Sequence, residues 1–511
     1  MFRHLAVAAS LILAAPLSLR ADDADLLRRA QILADGKDWT DAVTVARKSG
    51  PLAADIIDWQ RLRDGDGRFG EYIAFAARNP DWPGMALLRK EGEAFANDAD
   101  AGSVMAYFQG HAPQTGTGSL AYIAALSANG QAQAASDELV RAWRNLSMTA
   151  AEQQAFLSRF GEALKDHHDG RVAAMLAAEL SDDARRMLPL ASAGTRAVAE
   201  ARIALQTSGN GIDGLIAAIP PKMAGSPGLA YDRFRWRIRK DRYDEAADLL
   251  LERSDSAESL GDPERWADWR RTLARREMRE GDAARAYRIA ARHHLSDGSN
   301  YADLEFVAGY VALRKLGDAD TALAHFRRMR AAANGPITLG RAGYWEGRAL
   351  EELGRPDEAR AAYALGAAFQ SSFYGQLSAE RLGKPLDPTL TGSETYPDWR
   401  GAAFTQSSVF RAAVLLQESG NGVLATRFLL HLSEGLSGDD IGRLAGLAID
   451  WNDANKALLL AKAAADKGVI WPRAYFPMMG MHKLDLPVPN WLALAIARRD
   501  PPSARNRQIG V

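Results

Sequence analysis

The chain contains no cysteine among its 511 residues. This absence excludes disulfides, thiolate zinc sites, iron–sulfur clusters, a cysteine nucleophile and a lipid anchor on cysteine. An excess of one charge is also lacking, because 63 Lys and Arg residues face 64 Asp and Glu residues, a formal net charge of −1. Such a balance argues against a general nucleic-acid binder, which needs surplus basic residues to neutralise phosphates.

Long hydrophobic runs are scarce as well, and none approaches the roughly 20 apolar residues that a membrane-spanning helix needs. Residues 1–21 are typical of a secretory signal peptide: Arg3 and His4 precede an apolar run, and Leu19-Arg20-Ala21 offers a cleavage site. The alternative is a buried first helix. An exported chain without cysteine suits the oxidising bacterial periplasm. We therefore expect a periplasmic protein with no membrane span.

A repeated phrase organises the rest of the chain: Gly, or Asp in its place, is followed five positions later by Ala. The clearest copies begin at Asp241, Gly281, Gly317 and Gly354. We expect the Gly to end one helix in the left-handed conformation, an early Asp or Thr to cap the next helix, and the Ala to let two helices approach closely. The spacing of the copies is close to the roughly 34-residue period of tetratricopeptide repeats.

This pattern predicts an all-α fold. Each unit is a helix hairpin that buries its apolar face against its neighbours, so that the array forms a superhelical ring or horseshoe of tetratricopeptide-like helix pairs. A Pro-rich stretch from Lys384 to Pro397 indicates a boundary. We predict a U-shaped superhelical domain at residues 22–385 and a smaller helical linker domain at residues 390–490.

Two phrases imitate ligand-binding motifs. Residues 209–214 spell a dinucleotide-binding phrase, but a helix-like run precedes it, and the motif needs a strand there; we interpret it as an interhelical turn. The pairs His167-His168 and His293-His294 lack the spacing of metal ligands, since adjacent residues on a helix point in different directions. We interpret them as surface histidines at helix ends, and we predict neither a metal nor a cofactor.

The stretch from Arg233 to His294 combines arginines with tryptophans. Its members include Arg270-Arg271, Arg275-Arg276, Trp236, Trp266 and Trp269. Tryptophan stacks on flat sugar faces and arginine binds carboxylates, so the combination fits a polymer that carries both. The alternative, which we favour for any single residue, is a solvated helix face with packing between helices.

Four phrases together carry a resemblance to a known family. They are Trp59-Gln60-Arg61-Leu62-Arg63-Asp64 with Asn79-Pro80-Asp81-Trp82-Pro83-Gly84, then Tyr231-Asp232-Arg233-Phe234-Arg235-Trp236-Arg237, then Ala342-Gly343-Tyr344-Trp345-Glu346-Gly347-Arg348-Ala349, and Ser372-Phe373-Tyr374-Gly375-Gln376-Leu377-Ser378-Ala379-Glu380-Arg381-Leu382-Gly383. From about Ala24 to Arg499 the chain resembles the soluble lytic murein transglycosylases of Gram-negative bacteria.

The resemblance implies a lysozyme-like catalytic domain that follows the superhelix and the linker. It also implies cleavage, without hydrolysis, of the bond between N-acetylmuramic acid and N-acetylglucosamine, which leaves a 1,6-anhydro sugar. One glutamate acts as general acid and then as base, and this needs a raised carboxyl pKa in a partly apolar cleft.

The C-terminal region departs from the family pattern. Residues 491–499 enter the catalytic helix in register, but Asp500 stands where the family has its glutamate, and Pro501-Pro502 end the helix. We expect Asp500 to be inactive, since its side chain is one methylene shorter. We interpret residues 491–511 as the truncated start of the catalytic domain with an unrelated tail, from a frameshift or a truncated gene. Gln417-Glu418-Ser419 repeats letters of the catalytic phrase, and we interpret it as a structural helix end.

The predicted function is therefore a periplasmic scaffold that engages the glycan strands of peptidoglycan without cleaving them, through basic and aromatic side chains on a concave face. One alternative is a tetratricopeptide-like scaffold that binds protein partners. A second is an active enzyme that uses Asp500.

Overall fold

The structure, a computed structural model, describes residues 21–478 and 488–489. Every regular element in these ranges is a helix and none is a strand, which confirms the predicted all-α class. The chain divides into two compact units. Unit 1 comprises Met1–Gly92 and Ala403–Leu432, and unit 2 comprises Glu93–Ala402 and Ser433–Val511. The predicted signal peptide, apart from Ala21, and the predicted catalytic remnant at residues 491–511 lie outside the described residues.

The helices follow one another with short connections. The first fourteen are α1 (Ala21–Asp35), α2 (Trp39–Ser49), α3 (Pro51–Arg63), α4 (Phe69–Arg78), α5 (Met85–Gly92), α6 (Ala101–Tyr107), α7 (Gly116–Ala128), α8 (Ala132–Asn145), α9 (Ala150–Leu164), α10 (His168–Ala177), α11 (Ser181–Met187), α12 (Ala193–Thr207), α13 (Ile212–Ala217) and α14 (Pro227–Arg239). The others are α15 (Tyr243–Arg253), α16 (Ala257–Leu260), α17 (Pro263–Glu280), α18 (Ala283–Ala291), α19 (Gly298–Val311), α20 (Ala319–Ala331), α21 (Pro336–Glu352), α22 (Pro356–Ala367), α23 (Phe373–Arg381), α24 (Ser408–Glu418), α25 (Gly422–Glu434), α26 (Gly438–Asp450), α27 (Ala454–Asp466) and α28 (Pro472–Tyr475).

Shorter helical turns complete the description. The 3-10 helices are Glu93–Asp98, Lys165–His167, Leu188–Leu190, Pro388–Thr391 and Ala403–Gln406, and a π-helical turn, Ala312–Leu316, continues α19. The long connection between α23 and α24 contains the Pro-rich stretch that suggested a domain boundary. The boundary itself stays a prediction.

The repeated phrase begins the second helix of each hairpin in unit 2. Its alanines, Ala246, Ala286, Ala322 and Ala359, are all buried, as close packing between helices requires. The Asp318 side chain accepts a hydrogen bond from the backbone N–H of the third residue of α20, which satisfies a group with no partner inside the helix.

The glycines of the phrase follow two different rules. Gly317 and Gly354 both have φ of 69°, the left-handed conformation that the sequence predicted. The prediction is wrong for Gly281, whose φ is −127°. There a Cβ atom would lie 2.4 Å from the Glu277 carboxylate, so glycine gives that side chain room and does not serve a left-handed backbone.

Helix α21 packs its neighbours through glycines at three- and four-residue spacing. A Cβ at Gly340 would lie 2.4 Å from the Ser372 hydroxyl, one at Gly343 would lie 2.4 Å from the backbone N of Gly366, and one at Gly347 would lie 2.4 Å from the ring of Tyr363. These glycines share one face of the helix, and they let α22 and α23 approach unusually closely.

Unit 1 joins two distant parts of the chain through an aromatic cluster. The Trp82 ring lies 5.2 Å from the Phe428 ring of α25, and the Trp59 ring lies 5.2 Å from the same residue. The Trp82 indole N–H also donates a hydrogen bond of 3.0 Å to the Ser408 hydroxyl at the start of α24. The phrase that contains Trp82 is thus a packing motif that holds α24 and α25 against the first helices.

In unit 2 the helices of the later hairpins form two rows. The first helix of each hairpin contacts the first helix of the next, so that α17 packs on α19 and α19 packs on α21. The second helix of each hairpin, α18, α20 or α22, packs on the first helix of the same hairpin. Side chains of α17, α19 and α21 therefore share one surface, although they come from distant parts of the sequence.

Candidate functional site

An arginine-rich surface lies on the first helices of unit 2. Helix α17 presents Arg271, Arg275 and Arg279 at four-residue spacing, so that they project from one face of the helix. Helix α21 adds Arg341, and helix α19 adds Asp303. We call these five residues the arginine surface.

A single carboxylate pairs two of the four guanidinium groups. Arg271 Nη1 lies 3.0 Å from Asp303 Oδ2, and Arg341 Nη2 lies 2.9 Å from Asp303 Oδ1. Arg271 has a second partner in Asp268, at 2.8 Å. Within the described part of the chain, neither Arg275 nor Arg279 forms an ion pair. The surface therefore carries positive charge that the protein does not neutralise.

The pKa of Arg275 reflects this crowding. Partial burial lowers it, Asp303 raises it, and the neighbouring guanidinium groups of Arg271, Arg341 and Arg279 lower it again. Like charges held together in this way make the binding of an anion favourable, because the anion removes repulsion that the folded protein retains.

Aromatic side chains border the arginine surface. The Arg341 guanidinium lies 4.4 Å from the centre of the Phe306 ring, while the same side chain pairs with Asp303. One turn further along α19, the half-buried Tyr310 ring packs 5.1 Å from Trp345. We call Phe306, Tyr310 and Trp345 the aromatic strip: Phe306 and Tyr310 are partly exposed, and the buried Trp345 packs against both. A ring that is partly exposed next to fixed cations offers a stacking face for a sugar.

The structure divides the predicted Arg–Trp stretch between core and surface. Trp266 is fully buried, and so is Arg270, which donates hydrogen bonds to the Ile289 carbonyl at 2.8 Å and to the Ser254 hydroxyl at 2.7 Å. Burial lowers the pKa of Arg270 to about 9. The packing interpretation is confirmed for these two residues. Trp269 is half-buried and stacks on Tyr243 at 6.3 Å.

Sequence reasoning missed the contributions of α19 and α21 to the surface. Asp303 and Phe306 lie just beyond the stretch, and Arg341 immediately precedes the family phrase that begins at Ala342. The four-residue spacing of Arg271, Arg275 and Arg279 is a local signal for one helix face. Which distant helix lies beside that face is a tertiary property.

The prediction of surface histidines is wrong for His168 and His293, since both side chains are buried. His293 is buried, with Nε2 3.1 Å from Glu305 Oε1, and His325 Nδ1 lies 2.7 Å from the other carboxylate oxygen. Arg328 also reaches this carboxylate, at 2.9 Å. Burial opposes ionisation of Glu305, but the hydrogen bonds from both imidazoles and the charge of Arg328 lower its pKa to about 2. His168 is buried as well.

These groups form a structural polar cluster beneath the surface. Across the described residues, no group of three or more candidate side chains has an arrangement that could hold a metal ion.

The structure places residues 209–214 at a turn between helices and Gln417-Glu418-Ser419 at a helix end, as the sequence predicted. Residues 209–214 cross the turn between α12 and α13, with Gly211 in the left-handed conformation before the first residue of α13. Glu418 ends α24, and the following Ser419 donates a hydrogen bond of 3.2 Å to Gln31. Burial raises the pKa of Glu418. Asp500, which the sequence places at the position of the family's catalytic acid, lies outside the described residues.

Comparisons with known proteins give structural relatives alone. No family model matches the chain, and neither does any curated protein. The 70 kDa soluble lytic transglycosylase of Escherichia coli is 17% identical, with a TM-score of 0.59 over 95% of this chain and 77% of that one, and its complex with bulgecin A gives the same values. An inactive mutant of lytic transglycosylase Slt from Pseudomonas aeruginosa is 17% identical, with a TM-score of 0.62 over 93% and 77%.

The chain has the fold of the soluble lytic transglycosylases. The resemblance inferred from the four sequence phrases is thereby confirmed at the level of fold. Among the helices that the structure describes, none combines the length and the apolar character needed to cross a membrane.

Proposed function

We propose that the protein is an exported, periplasmic scaffold that binds peptidoglycan and does not cleave it. The observation that carries this proposal is the arginine surface, where Asp303 pairs with Arg271 and Arg341 while Arg275 and Arg279 form no ion pair within the described residues. The fold shared with lytic transglycosylases supports peptidoglycan as the ligand, because those proteins combine the same helical array with an activity on that polymer.

The chemistry of peptidoglycan fits this surface. The polymer consists of sugar strands that carry short peptides with free carboxylates, so that a ligand segment presents both stackable rings and negative charges. The arginine surface on α17, α19 and α21 adjoins the aromatic strip on α19 and α21 through the contact of Arg341 with Phe306, and the two offer the complementary groups.

The absence of cleavage is inferred from the sequence, where Asp500 stands at the position of the family's catalytic glutamate. Glu418, which repeats letters of the family's catalytic phrase, is an exposed residue at the end of α24. The alternative is an active lyase that uses Asp500. Mass spectrometry of the soluble products from sacculi incubated with the protein distinguishes the two, since an active lyase releases anhydro-muropeptides.

Co-sedimentation with purified murein sacculi tests the binding. We expect the protein to pellet with sacculi at low salt and to be released as salt is raised, since exposed charge pairs are screened. A tetratricopeptide-like scaffold that binds proteins would remain in the supernatant with protein-free sacculi. The experiment therefore separates the proposal from that alternative.

A further inference from the structure

We propose that Arg275 and Arg279 bind the carboxylates of the short peptides of peptidoglycan, while the sugars contact the aromatic strip. This inference rests on the proposed function and assigns a distinct role to each part of the surface. It starts from an imbalance within the described residues: Asp303 and Asp268 pair with Arg271 and Arg341, and no carboxylate forms an ion pair with Arg275 or Arg279.

The surface shows how it accommodates a carboxylate. Asp303 lies between two guanidinium groups, and each of its oxygens accepts a hydrogen bond from a different arginine. The planar fork of donors on arginine matches the two oxygens of a carboxylate, which makes such pairs directional as well as charged. Arg275 and Arg279 repeat the same chemistry one and two turns further along α17, and no carboxylate of the described residues forms an ion pair with either of them.

The position of Arg275 favours a ligand with a formal charge over a neutral one. Its guanidinium is half-buried among three others, and burial is the largest cause of its lowered pKa. A sugar hydroxyl would leave the repulsion between these cations in place, whereas a carboxylate would neutralise it. Arg275 and Arg279 are successive members of one helix face, roughly 6 Å apart at Cβ, so that they can hold two carboxylates or bridge one.

The aromatic strip follows the paired carboxylate along α19. Arg341 contacts both parts, since it pairs with Asp303 and covers the Phe306 ring. From this point the partly exposed ring of Tyr310 continues along α19, away from the start of that helix. A peptide on α17 and its sugar on α19 and α21 would therefore lie on adjoining helices of one surface.

The test compares two double variants of the full-length protein. Arg275→Gln with Arg279→Gln removes the unpaired cations of the surface. Arg288→Gln with Arg360→Gln removes two exposed arginines of the second helices α18 and α22, which also lack ion pairs within the described residues, and so matches the change in net charge. Each protein is titrated against intact sacculi and against glycan strands whose peptides have been removed by an amidase.

For intact sacculi, we expect affinity to fall about tenfold or more in the Arg275/Arg279 variant and to change little in the control, in line with the loss of two charge-assisted contacts. For peptide-free strands, we expect the wild type to bind as weakly as the Arg275/Arg279 variant. Equal affinity of all three proteins for intact sacculi would overturn the inference, as would an equal loss by the variant on peptide-free strands.

Two further titrations keep this result separate from that of the proposed function. Should the wild type fail to bind sacculi, the proposed function fails, and calorimetric titration with the isolated peptide then decides the inference: heat of binding for the wild type and none for the Arg275/Arg279 variant supports it. Equal affinity of the wild type for polyphosphate and for the peptide would overturn it, because the surface would then select charge and not carboxylates.

Discussion

Replacing Gly343 with Ala tests the packing of α21 against α22. The added Cβ would lie 2.4 Å from the backbone N of Gly366, 2.6 Å from its Cα and 2.9 Å from the Ala362 carbonyl oxygen. Carbon atoms normally approach to about 3.5–4.0 Å. All three contacts are with backbone, so no side chain can rotate away, and the two helices must separate by about 1 Å.

The cost of that separation sets the expected effect. Overpacking of a well-packed core costs about 1–3 kcal/mol. The higher helix propensity of Ala offsets up to about 1 kcal/mol of this loss in stability. We therefore expect Gly343→Ala to lower the free energy of unfolding by about 1–2 kcal/mol, and the melting temperature by a few degrees.

Thermal melting followed by circular dichroism at the helical minimum measures this effect. The matched control is Gly214→Ala in α13, where a Cβ would have no atom within 4 Å and only the gain in helix propensity applies. We expect the control to be neutral or slightly more stable than the wild type. A melting temperature for Gly343→Ala equal to or above that of the control would refute the close approach of α21 and α22.

Two other substitutions test buried clusters that do not include the residues of the arginine surface. Trp82→Ala removes a fully buried ring together with its hydrogen bond to Ser408, and we expect a loss of about 3–5 kcal/mol in urea unfolding, with faster proteolysis of residues 403–432; unchanged proteolysis would contradict the packing of unit 1. Glu305→Gln removes the charge that His325 and Arg328 share, and we expect a loss of about 1–3 kcal/mol at pH 7. Because the folded carboxyl has a pKa of about 2, below its unfolded value, the difference between wild type and variant should persist down to about pH 4.5 and vanish as the pH falls towards 2; a difference that is constant with pH would refute the assignment.

The sequence was most informative where one local rule decides the structure. The alanines of the repeated phrase and the caps at Asp282 and Asp318 depend on neighbours within one hairpin, and they lie as predicted. Gly281 shows where a local rule fails, since its requirement for glycine comes from the Glu277 side chain.

The candidate site was only partly accessible from the sequence, for a different reason. The arginines of α17 could be placed on one helix face, but their partners Asp303 and Arg341 come from helices that meet α17 only through stacking of the hairpins. A tertiary contact also decides the environment of His293, which lies in the connection between α18 and α19 and pairs with Glu305 of α19. The sequence alone does not predict which charged side chains are paired in such a cluster, because the partners lie on different helices of the stack.

Equilibrium co-sedimentation with purified sacculi at graded salt concentrations decides whether the protein binds peptidoglycan. We expect saturable binding at low ionic strength, weaker binding as the salt concentration rises, and no release of anhydro-muropeptides into the supernatant. A protein that stays in solution with sacculi at low salt would contradict the proposal that this scaffold binds peptidoglycan.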